Sequence, residues 1–163
     1  MRRRTVLGAG ALVLGALAAT GVAARRAHLE PMLVKGGSMR PALAPGQRIA
    51  VAPLLRLPRR GDLVVIARHD REVVKRVVGL PGERVRLSVG GLEVDGQAVA
   101  EPYLAGPPAA GTLEVELGPA EYLVLGDHRA ASTDGRDFGP VGADALVGRV
   151  SFAYWPPRRL PRG

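Results

Sequence analysis

A serine and a lysine stand out in this sequence as a candidate pair for nucleophilic chemistry. The chain has only two lysines, and Lys75 stands in the apolar run VVKRVV at 73–78. Burial among valines disfavours an ammonium, so it lowers the lysine pKa and leaves an amine that can act as a base. Ser38 lies thirty-seven residues earlier, in GGSMRP at 36–41. A serine activated by such a base would carry out acyl transfer.

These two segments also have simpler interpretations. The first could be a glycine-rich turn, and Lys75 could lie at a strand edge with its ammonium in water. A third segment, residues 126–140, is dense in polar and turn residues. Its opposite charges could hold a loop rigid by mutual hydrogen bonds, and Ser132 could orient a nearby base. A solvated surface loop would have the same composition. The charged residues of this segment are Asp127, Arg129, Asp134 and Arg136.

Composition narrows the possible functions. The length of 163 residues predicts one domain, and the absence of cysteine excludes disulfides and thiolate catalysis. The net charge of +8 would suit nucleic acid, but aromatic residues make up only 4% and offer no stacking platform for single strands. The arginines cluster at the chain ends and at 56–60, which suits a membrane surface better. No nucleic acid partner is expected.

The N-terminus carries an apolar segment that could cross a membrane. Residues 5–24 are uncharged and follow three arginines, and twenty residues suffice to span about 30 Å of hydrocarbon as a helix. Arg3 and Arg4 before this segment also fit the start of a cleaved twin-arginine signal. The segment alone does not decide between a retained membrane anchor and a cleaved export signal. Both place the residues after about 26 outside the cytoplasm.

Beyond residue 30, short apolar runs broken by Gly, Pro and Asp predict an all-β fold. We expect mostly antiparallel sheets that form a partly closed barrel. Residues 102–111 read as an irregular loop and 156–163 as a frayed basic tail. The predicted strands are 48–52, 62–68, 72–78, 84–89, 92–94, 97–99, 113–117, 122–125 and 146–153.

Taken in order, these motifs resemble those of type I signal peptidases, membrane-bound serine endopeptidases that remove export signals. The resemblance covers roughly residues 32 to 150. It rests on Ser-Met-x-Pro at 38–41, on Lys-Arg-Val-Val-Gly-Leu-Pro-Gly at 75–82, and on Gly-Asp-His-Arg with Ser-x-Asp-x-Arg-x-Phe-Gly at 126–139. Each motif is fairly specific, and their combination in this order is highly specific.

The resemblance implies a role for each matching residue. Ser38 would be the nucleophile, Lys75 the general base, and Ser132 the residue that orients the lysine amine. The remaining residues fall into two groups. Asp134 with Arg136, and Asp127 with Arg129, would support the site, while Gly36, Gly37, Met39 and Pro41 would form the oxyanion and substrate loop.

Two positions depart from the family pattern. His128 stands where the signature has Asn. Gly36 stands where some members carry a serine that donates to the oxyanion hole. The oxyanion would then be stabilised chiefly by backbone N–H groups, notably that of Ser38.

The resemblance further implies exported preproteins as substrates, cut after small residues in Ala-x-Ala, with no metal and no organic cofactor. It favours an uncleaved single-pass anchor in the plasma (inner) membrane at residues 1–26, with membrane lipid as a second partner. An extracytoplasmic β-rich peptidase domain would occupy 27–155 and a basic tail 156–163. Apolar residues near the site either contact the membrane or belong to the core. These are Met32, Leu33, Val34, Leu54 and Leu55.

Two alternatives remain at this stage. The first is a peptidase of the same family that matures one dedicated substrate, which the full third motif disfavours. The second is a non-enzymatic exported β-domain that binds an acidic partner. This second alternative predicts that mutation of Ser38 or Lys75 has no effect.

Overall fold

The structure, a computed structural model, describes residues 28–104, 106–107, 112–158 and 160. The predicted anchor at 1–26 lies outside these residues, and so do residues 159 and 161–163 of the predicted tail. Within the described ranges, no helix is both long and apolar enough to cross a membrane.

The described residues form twelve strands and three short helical segments. The helical segments are α1, Gly135–Phe138, and two 3₁₀ turns, Arg129–Ala131 and Ala143–Ala145. The strands are β1 Glu30–Leu33, β2 Arg48–Ala52, β3 Leu63–Arg68, β4 Arg71–Gly79, β5 Arg84–Ser88, β6 Gly91–Val94, β7 Gln97–Val99, β8 Leu113–Glu116, β9 Glu121–Leu125, β10 Val141–Gly142, β11 Leu146–Trp155 and β12 Pro157–Arg158.

Two antiparallel sheets organise these strands. The large sheet has the order β1-β2-β11-β3-β4-β9-β10, with β12 paired to β11, and the small sheet has the order β7-β6-β5-β8. The prediction of mostly antiparallel β-structure is therefore confirmed. The pairings among the described strands do not close a barrel, so partial closure stays a prediction.

Side-chain alternation explains how each sheet is buried. In β3, Val64 and Ile66 pack into one core cluster, whereas Leu63 and Val65 pack into another, so this strand is covered on both faces. Such strands read as continuous apolar runs. In β5, by contrast, inward residues alternate with exposed arginines, and one face of the small sheet meets solvent.

The predicted strands all form, with ends shifted by at most two residues, but three short strands were missed. β1 contains Pro31 and lies at the sheet edge, where proline is tolerated and sequence signals are weak. The prediction of a frayed tail from 156 onward is wrong for residues 157–158, because these pair with Ala153 and Tyr154 of β11. β10 has only two residues.

The two sheets meet at the end of β4. A Cβ on Gly79 would lie 2.6 Å from a methyl of Leu117 and 2.7 Å from a methyl of Val85. Since such contacts are shorter than real carbon contacts, only glycine lets the small sheet pack this closely. This packing fixes the position of the small sheet relative to β4, and with it residues 100–104, which follow β7.

Candidate active site

The loop that carries Ser38 follows β1 and is anchored by core residues. The Arg40 N–H donates to the Gly37 carbonyl at 3.1 Å, and the Leu43 N–H donates to the Met39 carbonyl at 2.8 Å. Met39 and Leu43 are buried in the core cluster under β2 and β3. The apolar residues on either side of these turns therefore hold the serine in a fixed position. Pro41, half-buried, follows a cis peptide bond within this loop.

Lys75 lies in the middle of β4, opposite Val64 of β3, and is buried. Its Nζ is 3.1 Å from the Ser38 Oγ and 2.9 Å from the Ser132 Oγ. The structure thus brings together the three side chains on which the predicted chemistry depends. Burial lowers the pKa of the Lys75 amine below its ordinary value; the nearby charge of Asp134 opposes this shift, and that of Arg136 adds to it.

Ser132 is held by the short helix that follows it. Asp134 caps α1 and accepts hydrogen bonds from Gly126 N–H at 2.9 Å and Arg136 Nε at 2.8 Å. Burial alone would raise the pKa of Asp134, but these hydrogen bonds outweigh it and hold the pKa below its ordinary value. Arg136 also donates to the Ser132 carbonyl at 3.2 Å. The Asp134–Arg136 ion pair thereby holds the backbone of Ser132 in place.

A direct backbone contact joins this segment to the nucleophile loop. The His128 N–H donates to the Ser38 carbonyl at 2.9 Å, while the His128 side chain is exposed. Because this contact uses only main-chain atoms, His128 can make it although the family signature has Asn at this position. Any residue other than proline could do the same.

A second buried charge cluster lies beneath the site. Arg76, which points to the opposite face from Lys75, holds Asp127 through two hydrogen bonds of 2.7 and 2.6 Å. The ring of Tyr103 lies 4.0 Å from the Arg76 guanidinium carbon, and Glu101 pairs with Arg129. The expectation of mutual pairing within 126–140 is therefore right for Asp134 with Arg136. Asp127 also bonds Arg76 of β4, and Arg129 also pairs with Glu101 of the loop after β7.

Sequence reasoning missed three residues of this cluster. Arg76 could have been found, because an arginine in the middle of an apolar strand needs a buried partner. Glu101 and Tyr103 carry no such signal, since they lie in a loop far along the chain from their partners. The Gly61 carbonyl, in the turn before β3, also accepts a hydrogen bond from Arg76 at 2.8 Å.

Removing one partner of the buried pair should destabilise the fold. We expect Asp127→Ala to lower the free energy of unfolding by about 3–5 kcal/mol, because it leaves the Arg76 charge buried and poorly compensated. Glu114→Ala, which removes an exposed ion pair with Arg84, should cost about 1 kcal/mol or less. Urea unfolding of both variants measures this difference. Equal losses would contradict the assignment of Arg76–Asp127 as a buried pair.

A groove of about 840 Å³ runs past the Ser38 and Lys75 side chains. β1 and residues 70–75 line its walls, together with Met39. β9 pairs with β4 only from Arg76 onward, so among the described strands none covers the second edge of residues 71–75. An extended peptide could pair with that edge. In the part of the chain that the structure describes, no group of three or more acidic or histidine side chains could hold a metal ion.

Comparisons with known proteins show the family to which the chain belongs. The family model for signal peptidase, peptidase S26, matches residues 5–155. Signal peptidase IB of Staphylococcus aureus (strain Mu50) is 37% identical over 150 residues, which cover 78% of each chain. A probable signal peptidase I-2 of a Synechocystis strain is 35% identical over 142 residues, covering 80% of this chain and 65% of that protein. The crystal structure of a signal peptidase I from Enterococcus faecalis V583 superposes with a TM-score of 0.54 and 28% identity, covering 59% of this chain and 98% of that one.

These similarities define the chain as a hydrolase of the serine peptidase class. More narrowly, it belongs to the signal peptidase family, peptidase S26, and is a bacterial type I signal peptidase.

Proposed function

We propose that this protein removes N-terminal signal peptides from exported preproteins by means of a Ser38–Lys75 dyad and an acyl-enzyme. One observation carries the proposal: a buried lysine amine lies 3.1 Å from the Oγ of a serine on a glycine-flanked loop. This is the geometry in which a neutral amine can take the hydroxyl proton as the oxygen attacks. No metal or organic cofactor takes part in the proposed reaction.

The reaction then proceeds in two steps. Lys75 accepts the Ser38 proton while the Oγ attacks the scissile carbonyl, and the resulting oxyanion is stabilised by backbone N–H groups that include that of Ser38. Lys75 next gives its proton to the leaving amine, and an ester remains on Ser38. A water deprotonated by the same lysine hydrolyses the ester. Ser132 fixes the direction of the lysine lone pair, since it accepts one of the Lys75 N–H groups at 2.9 Å.

The groove supports specificity for small residues before the cut. A peptide paired with the free edge of residues 71–75 would present alternate side chains to the groove. Val73, Val74 and Met39 line it near the catalytic pair. We propose that alanine at the first and third positions before the scissile bond would pack against these apolar side chains. This arrangement accounts for the Ala-x-Ala pattern of export signals.

We further propose that residues 1–26 anchor the protein in the plasma (inner) membrane, with the peptidase domain at 27–155 on the extracytoplasmic side and the basic tail at 156–163. Lipid would then be a second partner. Leu33 and Leu55 are 50% and 71% exposed, which supports contact with the membrane surface. Val34 is not part of that contact, because it is buried in the core, and Met32 packs against the same cluster. Leu54 packs against the other face of the large sheet.

Cleavage of preproteins tests the proposal directly. Detergent-solubilised full-length protein should cut several unrelated preproteins after Ala-x-Ala, and a preprotein with Ala-x-Ala changed to bulky residues should resist. Mass spectrometry of the products locates the cut. Cleavage of a single preprotein among many would favour the dedicated maturation peptidase, and no cleavage at all would contradict the proposed function.

The proposed base predicts how activity depends on pH. Only the neutral Lys75 amine accepts a proton, so kcat/KM should rise with pH up to its lowered pKa and level off above it. The Asp137 carboxylate, after the larger contribution of Asp134, raises the pKa of Lys75. Asp137→Asn should therefore move the rising part of the pH profile of kcat/KM to lower pH. The asparagine amide oxygen can still accept the hydrogen bond from the Asp134 N–H. Glu116→Gln, on the small sheet, is the matched control. A pH profile that does not respond to Asp137→Asn would contradict Lys75 as the titrating base.

A further inference from the structure

The segment that leaves the small sheet after β7 reaches the underside of the loop that carries Ser132. Glu101 and Tyr103 lie in this segment, and neither belongs to a motif that pointed to catalysis. The Tyr103 residue and the Glu101 side chain are each only 5% exposed. A carboxylate buried this deeply requires charged partners.

Two arginines contact Glu101 and Tyr103: Arg76 of β4, in the large sheet, and Arg129, in the segment 126–140 that also carries Ser132. Arg129 donates to both carboxylate oxygens of Glu101, one of these bonds being 3.2 Å long. The Tyr103 hydroxyl donates to Glu101 at 2.6 Å, and the Tyr103 ring lies against the Arg76 guanidinium. The two residues thus join the segment after β7 to β4 and to residues 126–132 at once.

Direct contacts lead from Arg129 to Ser132. The Arg129 Nε donates to the Gly126 carbonyl at 3.1 Å. The Arg129 carbonyl accepts from Arg136 at 2.7 Å, and the same Arg136 nitrogen donates to the Ser132 carbonyl at 3.2 Å. Hydrogen bonds to the side chain and to the carbonyl of Arg129 therefore connect Glu101, by way of Arg136, to the backbone of Ser132.

We propose that Glu101 is a positioning residue that holds Ser132 against Lys75, with Tyr103 fixing the orientation of its carboxylate. This inference rests on the proposed function, because it gives Glu101 a role only through the Ser132–Lys75 contact. Glu101→Gln keeps the shape of the side chain but loses the charge that Arg129 pairs with. The loop that carries Ser132 then loosens, and the lysine lone pair is misdirected.

A double-mutant cycle separates this role from general support of the fold. Glu101→Gln, Ser132→Ala and the double variant are made in the full chain and assayed in detergent on an Ala-x-Ala preprotein. We expect Glu101→Gln to lower kcat about 10- to 100-fold with KM changed by less than about twofold. Added to Ser132→Ala, it should lower kcat by less than about twofold more. Additive losses, a change in KM alone, or an unchanged kcat would each overturn the proposal.

Two further variants keep the test decisive. Tyr103→Phe retains the ring over Arg76 and removes only the donor to Glu101, so kcat should fall about 2- to 10-fold even if Glu101→Gln fails to fold. An unchanged kcat in that variant would count against the proposal. Glu114→Gln, on the exposed face of the small sheet, should leave kcat unchanged. The proposed function fails on a different result, cleavage that survives Ser38→Ala, which would overturn both proposals.

Discussion

Replacing Ser38 with alanine should abolish preprotein cleavage, with kcat falling on the order of 10⁴-fold or more. The substitution removes the hydroxyl proposed as the nucleophile, whose oxygen lies 3.1 Å from the Lys75 amine. Lys75→Ala should cause a loss of similar size, because a serine hydroxyl without a base is a weak nucleophile. Since the two residues act as one unit, the double variant should be no worse than either single one. Single-turnover rates on an Ala-x-Ala preprotein measure all three.

The control for this prediction is Ser88→Ala, a serine on the small sheet that accepts a hydrogen bond from its neighbour Gly90. It should cleave at the rate of the unmodified protein. If Lys75→Ala retained full activity while Ser38→Ala was inactive, the base would have to be another group, and the dyad would be wrong. If both variants retained activity, the nucleophile assignment would fail as well.

The second large effect is expected at Gly126, where three parts of the site converge. A Cβ at this position would lie 2.1 Å from the Ser132 Oγ and 2.7 Å from the Ser38 carbonyl oxygen. Both distances are far below any real contact of a Cβ, and one of the obstructing atoms belongs to backbone. Gly126→Ala should therefore push Ser132 away from Lys75 and lower kcat about 10²-fold or more. It should also reduce the free energy of unfolding.

Gly90→Ala is the matched control, because a Cβ there would meet the Ser88 hydroxyl at 3.5 Å, an ordinary contact. This variant should keep both activity and stability. Steady-state cleavage rates and urea unfolding, measured side by side, separate the two glycines. A Gly126→Ala protein with unchanged kcat would mean that Ser132 does not need its present position.

Local patterns in the sequence were enough to predict nine of the twelve described strands and the main candidates for the site. Apolar runs bounded by glycine and proline predicted nine strands, since burial and turn chemistry act over a few residues. Lysine among valines pointed to a buried amine, and the structure buries Lys75. Short edge strands such as β1 and β12 escaped prediction, because their pairing depends on neighbours elsewhere in the chain rather than on their own composition.

The choice of Ser38 and Lys75 as candidates for the chemistry follows from residue type and local apolar context, both of which can be read along the chain. The charges that support these two residues, in contrast, depend on how the sheets pack. Asp127 and Arg129 lie two residues apart, yet they bond Arg76 and Glu101, which come from another strand and another loop. Buried charges pair with whichever opposite charge the packing of the sheets brings within reach. The pairing of these charges depends on contacts between distant parts of the chain, so it cannot be predicted from local sequence patterns.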